Sequence, residues 1–217
     1  MQTQMLPRSN PARALRFGGI ALLLAAVLAP EPVPAAHAAR PGNAARAAAD
    51  GEEAFDPRVD AAATRINAIY GPVQWEVGEI VGIVDGDTAD IRIGKRRLER
   101  LRLNEIDAPE RGAPWSKRAK QLLADMIFGK EVFVAITDWD RGDRAVARIF
   151  VRSDDGSQLL DVSQQMILRG AAWYFEKFGK DRDLRAAQAS ARQAKRGLWS
   201  LPANQQVPPW VWRRMPK

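Results

Sequence analysis

The chain has 217 residues, 46% of them hydrophobic, and a formal net charge of +7. It contains no cysteine and a single histidine, His37. Disulfides, thiolate catalysis and cysteine-bound zinc are therefore excluded.

Arg8, Arg13 and Arg16 precede an apolar run from Phe17 to Ala29, which leads into "PEPVPAAHAA". A basic start, a short apolar stretch and Ala-His-Ala at 36–38 read as a secretory signal over residues 1–38, cleaved after Ala38. The apolar run is too short to span a bilayer comfortably, although an uncleaved anchor is the alternative. The mature protein is expected to be secreted or periplasmic, without stable membrane association. Cleavage removes three arginines and Glu31, which lowers the net charge from +7 to +5. It also removes His37, and with it any histidine base, catalytic triad or histidine-bound metal. Carboxylates, arginines, hydroxyls, lysines, backbone groups and an oxygen-bound hard cation remain. The residual basicity suits a polyanionic partner.

Residues 39–73 read as a flexible leader, because Ala39 to Phe55 offers almost no large apolar residue to bury. Within it, "DPRVDAAATRINAIYG" (56–71) carries a short helix that buries Val59, Ile66, Ile69 and Tyr70 and stops at Gly71. The folded domain is expected over 74–200. "WEVGEIVGIV" (75–84) is a strand that two glycines bend or bulge. "VDGDTADI" (84–91) follows, a turn opening a strand with Ala89, Ile91 and Ile93 on one face. "LRLN" (101–104) puts Leu101 and Leu103 opposite Arg102. A helix over 114–129 carries a stripe from Trp115 to Ile127 and stops at Gly129. "EVFVAIT" and "RAVARIFV" (131–137, 144–151) are two more alternating strands. Between them and the next helix lies "SDDGSQ" (153–158), an Asp-Gly turn with no chemistry nearby. Asp-Gly by itself therefore signals a turn that positive φ permits, not a site.

Two helices end the domain. One spans 161–170, capped by Asp161. The other spans 181–197 and buries Leu184, Ala187, Ala191 and Ala194. Three strands, a helix, two strands and two helices fit an α+β fold with a small five-stranded barrel and about three flanking helices. An open antiparallel sheet is the alternative. Residues 201–217 form a proline- and tryptophan-rich tail whose "PPWVWRR" is too proline-rich for a helix or central strand.

The third strand runs into "EIDAPER", where Pro109 stiffens the turn between Asp107 and Glu110. If the first three strands are neighbours, Asp85, Asp87 and Asp107 meet at one barrel end with backbone carbonyls. Such an oxygen-only cluster suits Ca²⁺. The alternative is that each aspartate caps a turn and faces water. Arg102 lies on the polar face of the third strand, and Arg144 opens the fifth after the loop "DWDRGD". Guanidinium groups grip phosphate oxygens in pairs. Beside a carboxylate cluster they suit phosphoryl transfer, where catalysis is positioning and charge stabilisation.

Taken in order, "VDGDT", "RLNEIDAPE", an Asp-rich loop into "RAVARIF", "LRGAAW" and "AKRGLWS" resemble the thermonuclease (staphylococcal nuclease-like) family over residues 75–200. The resemblance implies an OB-fold, Ca²⁺-dependent phosphodiesterase acting on DNA and RNA, working as a monomer. Asp87 and Asp107 would bind the ion directly, Asp85 mainly through water, and Ala108 through its carbonyl. Glu110 would position or deprotonate the attacking water. Arg102 and Arg144 would neutralise the phosphate, with Arg144 also stabilising the leaving oxygen. Two places depart from the family. Asp140-Arg141-Gly142-Asp143-Arg144 lacks the tyrosine of the best-known member's loop, and "WYFEKF" (173–178) puts Glu176 and Phe178 where nucleotide-lining tyrosines are expected. The competing reading is an inactive OB-fold module that binds nucleic acid or protein, which would have no use for the full Asp, Glu and Arg set.

Overall fold

The computed structural model describes residues 56–216, apart from Asp143. The expected secretory signal over 1–38 and the part of the expected leader up to residue 55 lie outside the described residues. Among the described residues, no helix is long and apolar enough to cross a membrane.

Helix α1 (Pro57–Tyr70) starts where the Asp56 carboxylate accepts the Arg58 N–H at 3.0 Å, with proline at its first position. It ends on Gly71, whose φ of 83° needs a glycine. Val59 and Ile66 are buried. Ile66 packs with Ala135 and Phe150 on the outside of the barrel.

Strand β1 (Gln74–Ile83) is long enough to serve two partners. Its first half pairs with β5 (Glu131–Trp139), from Gln74↔Ile136 to Glu79↔Glu131. Its second half pairs with β2 (Thr88–Ile93), from Glu79↔Arg92 to Ile83↔Ala89, with a register shift between Ile80 and Gly82. The bend expected from the two glycines is therefore present. A Cβ at Gly78 would lie 2.6 Å from the Arg92 carbonyl oxygen, so only glycine lets the strands approach. Strand β3 (Arg97–Leu103) continues the meander antiparallel to β2. Strand β6 (Ala145–Arg152) pairs with β5 and then, in parallel, with β3 through Leu101↔Ala145, Arg102↔Val146 and Leu103↔Ala147. That parallel contact closes a five-stranded barrel of the OB type, and the open-sheet alternative is set aside.

The interior follows the period-two pattern. Ile80, Ala89, Ile91, Leu101, Leu103, Ala147 and Ile149 are all essentially inaccessible. Each large member contributes about 1.5–3 kcal/mol through burial. Helix α2 (Ser116–Ile127) plugs the barrel with Ala119, Leu123, Met126 and Ile127. Trp115 precedes it at a φ of 72° instead of forming its first turn. Helices α3 (Val162–Leu168) and α4 (Arg182–Gln193) begin at the capping carboxylates of Asp161 and Asp181. Leu184, Ala187 and Ala191 of α4 are buried as expected. Ala194 lies beyond the helix end and is exposed.

Three short strands escape the periodic reading because they are too short to alternate. Strand β7 (Leu159–Asp161) extends the sheet beside β6. Strand β4 (Ile106–Asp107) pairs with β8 (Trp173–Tyr174), setting Asp107 opposite Trp173. The tail also departs from expectation, since Pro209–Trp212 form one helical turn, α5. Pro209 occupies the first helical position, where its missing N–H costs nothing.

Candidate functional site

The β1–β2 turn and the segment after β3 are pressed together at one end of the barrel. Gly86 does not use positive φ, unlike Gly156 of the Asp-Gly turn at 155–156, whose φ is 69°. It is needed for room: a Cβ there would lie 2.7 Å from Ala108 Cβ and 3.0 Å from Ala119 Cβ. The contact brings Asp87 beside Ala108, whose N–H donates to Asp87 Oδ2 at 2.8 Å. Thr88 Oγ1 donates to Asp87 Oδ1 at 3.0 Å, the supporting role its place in the turn suggests. The Leu103 N–H donates to the Asp87 carbonyl at 2.8 Å. Asp87 is 4% exposed and Asp107 1%.

Arg102 bridges these two carboxylates, with Nη1 3.0 Å from Asp87 Oδ1 and Nη2 3.1 Å from Asp107 Oδ1. Burial works against its charge, but the adjacent Asp87 and Asp107 outweigh that and hold it protonated more firmly than usual. At Asp87 burial dominates. Arg102 partly offsets it, Asp85 and Asp107 add to it, and the carboxyl is pushed up to about 7.

Asp85 is exposed, and its Oδ1 accepts the Asp87 N–H at 3.0 Å. In this arrangement it caps the turn, which was the alternative open for all three aspartates. Among the described residues, no three carboxylates converge as a preformed cation cage. Guanidinium groups stand between them instead. The donors are nonetheless of the right kind for a hard cation, being oxygen-only, adjacent and buried, with a backbone carbonyl at Ala108 in the same turn.

Glu110 is at the rim, with its side chain 37% exposed. Arg144 does not reach Asp87 or Asp107. It turns to Asp140, with Nε and Nη2 2.7 and 2.6 Å from Oδ2. The same Asp140 caps its own loop by accepting the Gly142 and Arg144 N–H groups. Strand pairing still sets Arg144 immediately before Ala145, the partner of Leu101, so its backbone is next to the strand that carries Arg102.

Sequence reasoning missed two arginines. Arg213, from the tail, donates from Nη2 to Asp107 Oδ2 at 2.7 Å and from Nη1 to Asp107 Oδ1 at 3.2 Å, and it also bonds Glu110. Hydrogen bonding to Asp107, opposed by partial burial and joined by the bond to Glu110, keeps it firmly protonated. The tail is held by Trp210, which stacks on Phe175 at 5.3 Å and meets Trp173 edge-on at 5.8 Å. Arg148 is wholly buried under the helices, between Asp161 and Asp181, with Nη1 2.8 Å from Asp181 Oδ2 and 3.2 Å from the Tyr70 hydroxyl. Tyr70 in turn donates to Glu105 Oε1 at 2.6 Å. Glu105 sits at a φ of 59° and also accepts the Lys180 and Asp181 N–H groups. This network fixes the residues immediately before Asp107.

Beside the site a cavity of about 700 Å³ is lined by Trp173, Phe175, Lys177, Arg192, Trp210 and Arg214, among others. Glu176 also lines it, and both Glu176 and Phe178 are exposed.

Comparison with known proteins agrees with this architecture. Residues 100–201 match the family described as Staphylococcal nuclease homologue. The chain is 38% identical over 145 residues to a micrococcal nuclease of Shigella flexneri, covering 64% of this chain and 82% of that one. It is 37% identical over 160 residues to Protein ParB of Escherichia coli, covering 71% and 89%. It is also 37% identical over 136 residues to an uncharacterized endonuclease of Escherichia coli O157:H7, covering 63% and 84%. The chain belongs to the staphylococcal nuclease homologue family.

Proposed function

We propose that this protein is a nuclease that hydrolyses phosphodiester bonds of DNA and RNA, depends on Ca²⁺, and works outside the cytoplasm as a monomer free of the membrane. The observation that carries the reading is the pairing of two buried carboxylates, Asp87 and Asp107, across the Arg102 guanidinium. Relatives named as nucleases and endonucleases support the class of reaction. Export rests on the basic and apolar pattern of residues 1–38 alone.

Asp87, Asp107 and the Ala108 carbonyl would hold the cation directly, and Asp85 through water. When bound, a cation supplies charge neutralisation for the phosphate and lowers the pKa of water. The rest falls to the chain's own residues. Glu110, at the rim, accepts a proton from the attacking water. Arg102 presents two donors to the phosphate oxygens as negative charge grows on them. Arg144, released from Asp140 by the competing phosphate, neutralises the leaving oxygen. No histidine is required, in keeping with a composition that offers none after residue 37.

The test is a nuclease assay on residues 39–217 with single- and double-stranded substrates, in Ca²⁺, in Mg²⁺ and in excess chelator. Cleavage in Ca²⁺, little in Mg²⁺ and none in chelator is expected. Full activity in chelator overturns the cation assignment, and binding without cleavage in every condition favours the inactive OB module.

A further inference from the structure

The tail residue Arg213 grips both oxygens of Asp107 and reaches Glu110, two residues given roles in cation binding and water activation. Asp107 is 1% exposed, and both of its oxygens already receive guanidinium donors, one from Arg102 and two from Arg213. With three guanidinium donors on a carboxylate of about four lone-pair sites, a cation approaching Asp107 is repelled by the guanidinium charge and binds best if one of them withdraws. Arg213 is the readier to leave, because its side chain is 41% exposed against 23% for Arg102. It cannot go far. Trp210, three residues earlier, is stacked on Phe175 and packed against Trp173, and Trp173 is paired through its backbone with Asp107 itself. A guanidinium freed from Asp107 therefore stays beside the site, and its natural new partner is an anion delivered with the substrate.

We propose that Arg213 is a third arginine of the active centre, one that changes partners. Before a cation binds, it serves as the internal counter-cation of Asp107 and Glu110. When a divalent cation takes Asp107, Arg213 turns to a phosphate of a bound nucleic acid. No covalent bond is made or broken in this exchange: the incoming cation replaces the guanidinium at the carboxylates, and the guanidinium exchanges its hydrogen bonds to Asp107 for bonds to the incoming phosphate. The second half of the exchange rests on the nuclease reading above; the first half needs only the cation.

The experiment is calorimetry on the 39–217 protein and its Arg213→Ala and Arg213→Gln variants, the glutamine keeping the length of the stem. Lys195→Ala, which removes an exposed charge beyond α4, controls for net charge. Circular dichroism checks folding. Without nucleic acid, Ca²⁺ binding should tighten in both Arg213 variants by about tenfold, the worth of roughly one charge-assisted hydrogen bond. With saturating Ca²⁺, binding of a short phosphorothioate oligonucleotide that resists cleavage should weaken by about tenfold in the same variants. Lys195→Ala should change neither. If the parent binds both ligands and the Arg213 variants bind Ca²⁺ no more tightly, or the oligonucleotide no more weakly, the exchange is wrong while the nuclease reading stands. A parent that binds no divalent cation overturns both.

Discussion

Gly86 and Ala108 meet so closely that a single added carbon on the glycine would lie 2.7 Å from the Ala108 Cβ. The contact is what lets the Ala108 N–H reach the Asp87 carboxylate. Gly86→Ala should therefore separate the two turns, at a cost of about 1–3 kcal/mol from overpacking. Urea denaturation should show that loss, and Ca²⁺ affinity should fall with it. Unchanged affinity in a destabilised variant would mean that Asp87 and the 107–108 turn do not act together.

Arg102 and Arg144 are assigned to charge that develops during the reaction, so loss of either should lower kcat on the order of a hundredfold to a thousandfold. Lysine keeps the charge without the paired donors and should rescue little. Steady-state kinetics on a short oligonucleotide in Ca²⁺, with circular dichroism as a check on folding, reads this directly. Folded lysine variants that retain more than about a tenth of parental kcat would remove transition-state stabilisation from these residues.

Arg144 begins from a bond to Asp140, and breaking that bond is part of reaching substrate. Asp140→Ala should therefore lower KM by a few-fold, within the roughly 1 kcal/mol that a partly exposed pair is worth. It should leave kcat nearly unchanged, because the transition-state contact is the same. A fall in kcat comparable with that of Arg144→Lys would show that the loop must be capped for the arginine to act.

The barrel was legible because its strands alternate, and so was the meeting of Asp87 and Asp107, since one immediately precedes β2 and the other closely follows its neighbour β3. Arg148 was not. On β6 it alternates with Ala147 and Ile149, a position that reads as solvent-facing, and the helices that cover it lie far away in sequence. Arg213 was hidden for a different reason. Two tryptophans in a proline-rich tail signal anchoring, but nothing in the spacing says where the next arginine lands. Asp85 shows the limit from the other side, because a turn cap and a cation ligand look the same in sequence.

The buried Arg148 makes stability depend on acid in a defined direction. Burial would raise the Asp181 carboxyl, but hydrogen bonding and charge from Arg148 prevail and hold it below the usual carboxylate range. A group lowered on folding stabilises above its unfolded pKa, about 3.9 for aspartate, and that contribution disappears as pH falls through the lower folded value. Asp181→Asn should cost about 1–3 kcal/mol near neutrality, because Arg148 loses one of its two carboxylate partners. The gap between variant and parent should narrow below about pH 4. Thermal melts between pH 7 and pH 2 measure it, and a constant gap would show that Asp181 does not titrate as an ion pair.

Tyr70 joins α1 to Glu105, just ahead of Asp107. Tyr70→Phe should destabilise the fold by about 1–3 kcal/mol, since Glu105 loses a donor in a buried setting. Chemical denaturation of the variant is the measurement. An unaffected midpoint would mean that the Lys180 and Asp181 amides suffice to hold the glutamate.

The parallel pairing of β3 with β6 joins Leu101 to Ala145, and the β4–β8 bridge joins Asp107 to Trp173. Hairpins such as β1–β2 and β2–β3 can form early from local contacts, but these two closures must wait until long intervening loops have been ordered. The β2–β3 hairpin sets Arg102 beside Asp87 through the Thr88↔Arg102 pair, whereas the bridge of Asp107 to Trp173 and the Arg213 contact belong to the later closures. Refolding should accordingly show the barrel core protected from hydrogen exchange before the 105–110 segment.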